Sequence, residues 1–339
     1  MIIVKKTAPT ASYVLDTYWK FAAERQEIFF NKIAGIELLT SDPIFLRHKF
    51  TNAYRASDRV SQYLIKEVIN SGDSSPDEVL FRILLFKIFN KIETWELLKW
   101  EVGQHLWKNY NFKKYNRILH LALNAKESIY SGAYIMASGK SSFGYLRKHE
   151  NHLKLIEFMM NSGLVQRIQE ANSMEEVYSL LLTYPTIGSF LAYQYTIDIN
   201  YSNLCNFSEM DFVVPGPGAK DGIKKCFKSI GDYTEADVIR FVTDRQEQEF
   251  DRLNLGFKNL WGRSLQLIDC QNLFCETDKY ARVAHPEVGG ISQRKRIKQI
   301  YVKNNSDIEY YYPPKWNLNN NILTYGKTIQ NLHIPSGTV

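Results

Sequence analysis

Apolar residues recur at intervals of three and four along most of this chain, which is the spacing typical of amphipathic helices. In Ser12–Ile33 the apolar side chains fall on one face of such a helix. The same spacing predicts further helices over Leu46–Ser71, Asp77–Asn90 and Met174–Leu182. Thr234 and Asp237 have the separation of a capping box, which predicts a helix start. The pattern therefore predicts a mostly α protein.

A Pro–x–Ile–Gly turn interrupts the helical pattern at Pro185–Gly188. It lies between two predicted helices, as in a helix-hairpin-helix element, whose turn presents backbone N–H groups to a DNA phosphate. An ordinary helical hairpin has the same pattern. Gly188 is accordingly a candidate DNA-binding residue, and both interpretations stay open.

The length of the chain, 339 residues, suffices for a large core and predicts two lobes. We expect residues 1–303 to form one helical unit whose lobes are approximately 1–135 and 136–303. Residues 304–339 are rich in Asn and Tyr, and they contain Pro313-Pro314. This composition predicts a short, irregular C-terminal tail.

The charge of the chain limits the classes of partner. Its 42 Lys and Arg against 36 Asp and Glu give a net charge of +6, a modest basic excess that permits nucleic-acid binding without requiring it. The four cysteines lack the spacing of a zinc or iron–sulfur site, so no metal and no cofactor is predicted, and reduced thiols suit a cytoplasmic protein. We find no signal peptide and no run of about eighteen apolar residues, so no membrane association is expected.

Two carboxylates stand one residue apart within the stretch Ser208–Phe227. If Met210–Val214 is extended, alternate side chains share a face, and Glu209 and Asp211 point the same way. Such a pair beside an anion-binding element suits an enzyme that acts on a nucleotide. A turn that carries two solvated acids is the alternative.

A Pro/Gly-rich turn and a basic helix follow these carboxylates. Gly216 and Gly218 would let the backbone approach a ligand closely. A helix beginning near Ala219 would direct free N–H groups at an anion such as a phosphate. Lys224 and Lys225 lie further along this helix and are candidate phosphate contacts.

Polar side chains are unusually dense between Asp269 and Tyr280. On a helix, Asn272, Glu276 and Lys279 lie three to four residues apart on one face. An amide, a carboxylate and an ammonium together can recognise a base edge or hold a water molecule. The alternative is an exposed, salt-bridged helix face.

Two further stretches are candidates for contacts with phosphates. Arg55 and Arg59 are one turn apart on the predicted helix and Asn52 precedes them, which is the arrangement of a phosphate clamp. The alternative is an Arg–Asp network within the helix. The second stretch, Ser292–Lys303, is basic, and its candidate DNA-binding residues are Arg294, Lys295 and Arg296.

The sequence Ser138-Gly139-Lys140-Ser141 resembles the end of a phosphate-binding loop. That loop requires a Gly five residues before Gly139, where this chain has Tyr134, and it requires a preceding strand, which the pattern does not predict. The sequence therefore disfavours a nucleoside-triphosphatase.

Taken together, the motifs resemble those of a known protein family. In order along residues 13–300, the blocks that carry the resemblance are Tyr18-Trp19-x-Phe21-x-x-Glu24-Arg25-Gln26, Phe50-Thr51-Asn52-x-Tyr54-Arg55-x-x-Asp58-Arg59, Phe89-Asn90-Lys91, Glu209-Met210-Asp211-Phe212, Gly216-Pro217-Gly218-Ala219 and Asp269-x-Gln271-Asn272-x-x-Cys275-Glu276-x-x-Lys279-Tyr280. The chain resembles the α-glutamyl/putrescinyl thymine pyrophosphorylases, or amino acid:DNA transferases, which are related to the helical domain of 5-hydroxymethyl-deoxyuridine DNA kinases. This group is regarded as DNA-glycosylase-like, and some anti-phage DNA glycosylases resemble it.

The resemblance implies a two-lobed helical fold like that of the helix-hairpin-helix DNA glycosylases. In those enzymes a catalytic Asp follows the hairpin, and Asp211, 23 residues after Gly188, fits this spacing better than Asp198, ten residues after it. Glu209 and Glu276 are the further catalytic candidates. The implied substrate-binding residues are Asn52, Arg55, Arg59, Asn90, Asp269, Gln271, Asn272, Lys279 and Tyr280.

The function that the resemblance implies is a DNA N-glycosylase of anti-phage defence. It would flip a hypermodified pyrimidine of phage DNA out of the duplex and excise it, leaving an abasic site. The alternative is an amino acid or polyamine:DNA transferase that displaces pyrophosphate from 5-(pyrophosphoryloxymethyl)uracil in DNA. A non-catalytic DNA-binding module is the third interpretation, and DNA is the expected partner in all three.

Overall fold

A computed structural model confirms the mostly α fold class and describes residues 6–132, 136–303 and 309–322. Within these residues, the strands form a single two-stranded antiparallel sheet, in which Thr10 lies opposite Ser229 and Ala11 opposite Phe227. Most of the predicted C-terminal tail lies outside the described residues.

The bounds of the elements follow in chain order. The first half contains α1 (Val14–Ile33), α2 (Pro43–Arg47), α3 (Arg59–Tyr63), α4 (Pro76–Phe89), α5 (Ile92–Val102), α6 (Phe112–Asn124), α7 (Lys140–Phe143) and α8 (Lys148–Asn161). The second half contains α9 (Leu164–Glu170), α10 (Met174–Leu182), α11 (Ser189–Asn200), α12 (Pro217–Cys226), α13 (Glu235–Thr243), α14 (Gln246–Arg252) and α15 (Leu267–Ala284). The strands are β1 (Thr10–Ala11) and β2 (Phe227–Ser229), a π-helix covers Leu64–Ile69, and 3-10 turns cover Arg55–Ser57, Trp107–Asn109 and Pro314–Trp316.

Contacts divide the chain into two units that are interleaved along the sequence. Unit 1 comprises the described residues of 1–58, 213–310 and 314–339, and unit 2 those of 59–212 and 311–313. The lobes expected from the sequence are instead consecutive, with a division near residue 135. The difference arises because the chain returns to unit 1 after residue 212.

The core of unit 1 is built on α1, α12 and α15. The buried ring of Tyr18 lies 4.6 Å from that of Phe274, and its hydroxyl donates to the Cys270 carbonyl at 3.3 Å. Trp19 packs edge-on against Phe250 of α14 at 5.0 Å. Aromatic side chains of this size contribute much of the apolar area that stabilises such a core.

Two glycines let α12 pack closely on α15. A Cβ at Gly222 would lie 2.0 Å from the Phe274 carbonyl oxygen, and one at Gly218 would lie 2.3 Å from the Cys275 sulfur. Gly218 therefore serves helix packing in the structure, rather than the close approach of a ligand that its sequence context suggested. Gly216 is the N-cap residue of α12 and is buried.

Helix α4 forms the centre of unit 2, and every residue from Glu78 to Phe89 is buried. Its Lys87 forms a buried ion pair with Asp198 of α11, with 2.7 Å between Nζ and Oδ2. Helices α10 and α11 form the predicted hairpin around Pro185–Gly188. Thr186 in this hairpin has a φ of 69°, which is unfavourable for a β-branched residue.

The structure confirms a secondary-structure prediction that rested on residues close together in the sequence. Thr234 and Asp237 form the predicted capping box, in which the Asp237 N–H donates to Thr234 Oγ1 at 3.1 Å. The continuous helix predicted over Leu46–Ser71 is wrong, because residues 48–58 are a loop that ends in a 3-10 turn.

Candidate functional site

Residues 50–58, which we call the 50–58 loop, are tied to helix α15 by two carboxylates. Asp269 Oδ1 accepts the Arg55 N–H at 2.8 Å, and Oδ2 accepts the Gln266 N–H at 3.0 Å. Glu276 Oε2 accepts the Thr51 N–H at 3.0 Å. Hydrogen bonds to a carboxylate are among the stronger ones in proteins. They fix the backbone of the loop at its beginning and its middle.

The loop is closed on itself by Asp58. Its Oδ1 accepts the Asn52 N–H at 2.7 Å, while the Asn52 amide donates to the Ser57 carbonyl at 2.7 Å. Arg25 of α1 donates from Nε to the Thr51 carbonyl at 2.8 Å. Burial raises the pKa of Asp58 to about 7, although the Asn52 N–H and the Arg25 charge oppose the shift. A carboxyl group that titrates near neutral pH is suited to accept a proton.

Lys279 joins the loop to the chain that follows α15. Its Nζ lies 2.8 Å from Glu276 Oε2 and 3.3 Å from Gln299 Oε1. The same ammonium lies 4.7 Å from the centre of the Phe50 ring, within the range of a cation–π interaction. On the same helix, the Tyr280 hydroxyl donates to Asp42 Oδ2 at 2.6 Å, at the N-terminus of α2.

Several polar atoms near these elements have no hydrogen-bond partner among the described residues. Thr51 Oγ1 and Gln271 Oε1 are buried without one. From the described part of the chain, the half-buried Asn52 accepts no hydrogen bond at its side-chain oxygen, and the half-buried Asn272 amide makes none. Buried polar groups are normally satisfied, so Thr51 Oγ1 and Gln271 Oε1 are places where a water molecule or a ligand can bind.

The stretch around Asp211 differs from the prediction. Residues 209–211 form a turn, in which the Asp211 N–H donates to the Ser208 carbonyl at 3.2 Å. The condition that Met210–Val214 is extended is therefore not met at its first two residues. Glu209 is buried and Asp211 is exposed, so the two carboxylates do not share a face.

The two lysines of α12 have different environments. Lys224 is exposed. Lys225 is buried, and its Nζ lies 2.9 Å from Asp278 Oδ1 and donates to the Asp278 carbonyl at 3.1 Å. Because that ammonium is already paired inside unit 1, we assign it no contact with phosphate.

The predicted clamp of Arg55 and Arg59 is not one helix face. Arg55 is buried in the 3-10 turn of the 50–58 loop, whereas Arg59 begins α3 in unit 2 and is exposed. Asn90 ends α4 in the left-handed conformation, with a φ of 48°, and is also in unit 2. Gly188 is exposed at the start of α11, and Arg294, Lys295 and Arg296 are exposed in unit 1.

Sequence reasoning missed Arg25 and Asp58 as members of this site, although both lie in the blocks that carry the family resemblance. Periodicity gave no signal for them, because the contacts that define their roles join α1, the loop and α15.

Within the described residues, no three His, Cys, Asp or Glu side chains are grouped so that they would hold a metal ion. None of the described helices has the length and hydropathy needed to cross a membrane.

Comparison with known proteins places the chain in a family. Residues 12–290 match the model of the 5-hmdU DNA kinase, helical domain. The chain belongs to this family. The match covers α1 and α15, and so the whole 50–58 loop and both carboxylates that hold it.

A relative of known name supports the same assignment. The chain is 26% identical over 337 residues to the 5-hmdU DNA kinase of Bacillus phage SP10, an alignment that covers 93% of this chain and 52% of the relative. The chain thus spans about half the length of that protein. No solved structure matches the chain significantly.

These findings correct the predicted activity. The DNA N-glycosylase predicted from the sequence is wrong, because both the family and the relative are named for a kinase rather than a hydrolase. The alternative amino acid or polyamine transferase is not the named activity either. The part of the resemblance that concerned the helical domain of 5-hydroxymethyl-deoxyuridine DNA kinases is confirmed.

Proposed function

We propose that this chain binds DNA that contains 5-hydroxymethyl-deoxyuridine and positions that base for phosphorylation of its hydroxymethyl group. The observation that carries the proposal is the match of residues 12–290 to the helical domain of the 5-hmdU DNA kinases. The kinship with a phage enzyme further supports phage DNA as the substrate.

The proposed reaction requires a group that takes up one proton. The hydroxymethyl oxygen attacks the terminal phosphorus of a nucleoside triphosphate, a new O–P bond forms, and the bond to the nucleoside diphosphate breaks. The proton of the hydroxyl group must leave at the same stage. We assign its uptake to Asp58, because this residue is partly exposed, its carboxyl is held by the Asn52 N–H, and burial raises the pKa of that carboxyl to about 7.

We assign recognition of the base to side-chain amide atoms that form no hydrogen bond with other described residues. Asn52 Oδ1 and the Asn272 side chain make no hydrogen bonds among the described residues, and a pyrimidine edge offers both donors and acceptors. Both residues belong to unit 1 and adjoin the contacts of α15 with the 50–58 loop.

We place the binding of the phosphate donor outside the site described above. The sequence lacks the Gly that a phosphate-binding loop needs before Gly139. Gly139 is followed by the four-residue helix α7, and residues 136–138 form no strand. In the proposed scheme this chain supplies the DNA-binding part of the reaction, and a separate domain or protein supplies the nucleoside triphosphate.

Binding to matched duplexes tests the proposal. One duplex carries a single 5-hydroxymethyl-deoxyuridine and the other a thymidine, and fluorescence anisotropy gives the two dissociation constants. One additional hydrogen bond to the hydroxyl group corresponds to a preference of about tenfold. Equal affinities would refute recognition of the modified base.

Single substitutions then separate base recognition, assigned to Asn272, from proton uptake, assigned to Asp58. Asn272→Ala should abolish the preference, whereas the matched control Asn206→Ala, at an exposed position in unit 2, should keep it. Asp58→Asn should keep the preference but prevent label transfer from γ-labelled ATP once the donor-binding partner is present. Label transfer by this chain alone would contradict a separate donor site.

A further inference from the structure

Two segments far apart in sequence pair along one edge of unit 1. The Lys49 N–H donates to the Gln299 carbonyl at 3.1 Å, and the Tyr301 N–H donates to the Arg47 carbonyl at 3.0 Å. His48 and Ile300 form an antiparallel bridge between these bonds. We call the paired segments, residues 43–50 and 288–303, the basic ledge.

The ledge holds the whole positive excess of the protein. Its seven cationic side chains are Arg47, Lys49, Arg294, Lys295, Arg296, Lys298 and Lys303, and it contains no Asp or Glu. Without these seven, the 42 Lys and Arg of the chain fall to 35, against 36 Asp and Glu. The remainder of the protein is therefore close to neutral, and the net charge of +6 is a property of this surface.

The charges of the ledge are available to a ligand. All seven side chains are exposed, and none forms an ion pair with a described residue. Seven like charges in two adjacent segments repel one another. An anionic partner would relieve this repulsion.

The ledge is also held in place rather than left as a free strand. Asp221 of α12 accepts the Ser292 N–H at 2.7 Å and the Ser292 hydroxyl at 2.5 Å. Arg282 of α15 donates to the Arg296 carbonyl at 3.1 Å. Gly290 lies against the same aspartate, where a Cβ would be 2.8 Å from Oδ1. A surface fixed in this way loses little conformational freedom on binding.

The ledge continues directly into the candidate site. Lys49 precedes Phe50, the first residue of the 50–58 loop, and Lys279 contacts both Glu276 behind that loop and Gln299 of the ledge. A polyanion on the ledge would therefore run next to the loop that we assign to the modified base.

We propose that the basic ledge binds the phosphate backbone of duplex DNA. The inference rests on the proposed function for its choice of DNA over other polyanions. Contacts with phosphates release condensed counterions, so each one adds about 0.9 to the slope of log affinity against log salt concentration. The ledge thus supplies affinity that does not depend on sequence, and the 50–58 loop supplies the choice of base.

The test compares two variants of equal charge. The ledge variant is Arg294→Gln/Lys295→Gln/Arg296→Gln/Lys298→Gln. The control is Lys113→Gln/Lys114→Gln/Arg117→Gln/Lys126→Gln, which removes four exposed cations from unit 2. Anisotropy with an unmodified duplex, from 50 to 300 mM NaCl, gives the salt slope of each protein, and far-UV circular dichroism checks that each is folded.

We expect the salt slope of the ledge variant to be smaller by about 3 to 4, and that of the control to be unchanged. Equal losses in both variants would show an effect of net charge alone and would overturn the proposal, as would an unchanged slope in the ledge variant. Binding to phosphatidylserine vesicles but not to DNA would also overturn it.

The preference of the wild-type protein for 5-hydroxymethyl-deoxyuridine over thymidine is measured in parallel. Its absence would refute the proposed function and leave the ledge result standing. Its persistence in the ledge variant, at lower overall affinity, would support both.

Discussion

Replacing Asp269 by Asn tests whether helix α15 holds the 50–58 loop. The two oxygens of this buried carboxylate accept different backbone N–H groups, from Arg55 and from Gln266. An Asn side chain has the same shape but only one oxygen, and neither rotamer of its amide satisfies both donors. One backbone N–H must then face an NH₂ group.

The free-energy cost of Asp269→Asn follows from the hydrogen bond that is lost. Removing one partner of a buried hydrogen bond costs the desolvation penalty of the donor left behind, which is about 1 to 3 kcal/mol and more where a charged group took part. We expect the loop to be destabilised by about 2 to 4 kcal/mol, of which part also affects the start of α15.

Glu276→Gln is the matched comparison, because within the described residues only one of the Glu276 oxygens accepts a backbone N–H, from Thr51. Rotation of the new amide restores that bond. The new amide oxygen can still accept from both the Thr51 N–H and the Lys279 ammonium, so the variant loses the charge of this mostly buried pair but leaves no backbone donor unpaired.

Hydrogen–deuterium exchange of peptides from the loop gives the measurement. A destabilisation of 2 kcal/mol or more corresponds to exchange that is faster by about 30-fold or more. If the loop in Asp269→Asn exchanges no faster than in Glu276→Gln, the two carboxylates do not differ in the way that the geometry requires, and the reasoning is refuted.

Three further predictions concern packing, pH and a buried charge. Gly222→Ala should destabilise unit 1 by about 1 to 3 kcal/mol in urea unfolding, because its Cβ would meet the backbone of α15, whereas Gly256→Ala, with open space around it, should not. Asp58 has a folded-state pKa of about 7 against an ordinary 3.8, so its contribution to stability is lost as the pH rises from 4 to 7, and Asp58→Asn should remove this part of the pH dependence of unfolding. Lys87→Met should cost about 3 to 5 kcal/mol because it leaves Asp198 buried without its cation, and adding Asp198→Leu should recover most of the loss, as thermal unfolding would show.

The parts of the fold that depend on near neighbours were predictable from the sequence. Helices α1, α4 and α10 begin and end within two residues of the predicted bounds, because their apolar spacing and first-turn residues act locally. The same holds for the capping box of α13. These elements need no knowledge of the rest of the chain.

The candidate site depends on contacts that no local pattern carries. Residues 50–58 have a helical apolar spacing, yet their N–H groups bond to carboxylates of α15 more than 200 positions away. Lys225 looks like a phosphate contact in the sequence, but Asp278 neutralises it in the interior. Long-range partners thus decided both the conformation of the loop and which charges face outward.

The interleaving of the two units sets the order in which the protein can fold as it is made. Tyr18 bonds to Cys270, 252 positions later, so at 5 to 20 residues per second the aromatic face of α1 waits about 10 to 50 s for its partner. Unit 2 is almost entirely one continuous stretch, residues 59–212, and all of it leaves the ribosome during that interval. The contacts of α1 with α14 and α15 therefore form after unit 2 has emerged, and the nascent chain exposes Tyr18 and Trp19 to chaperones during that interval.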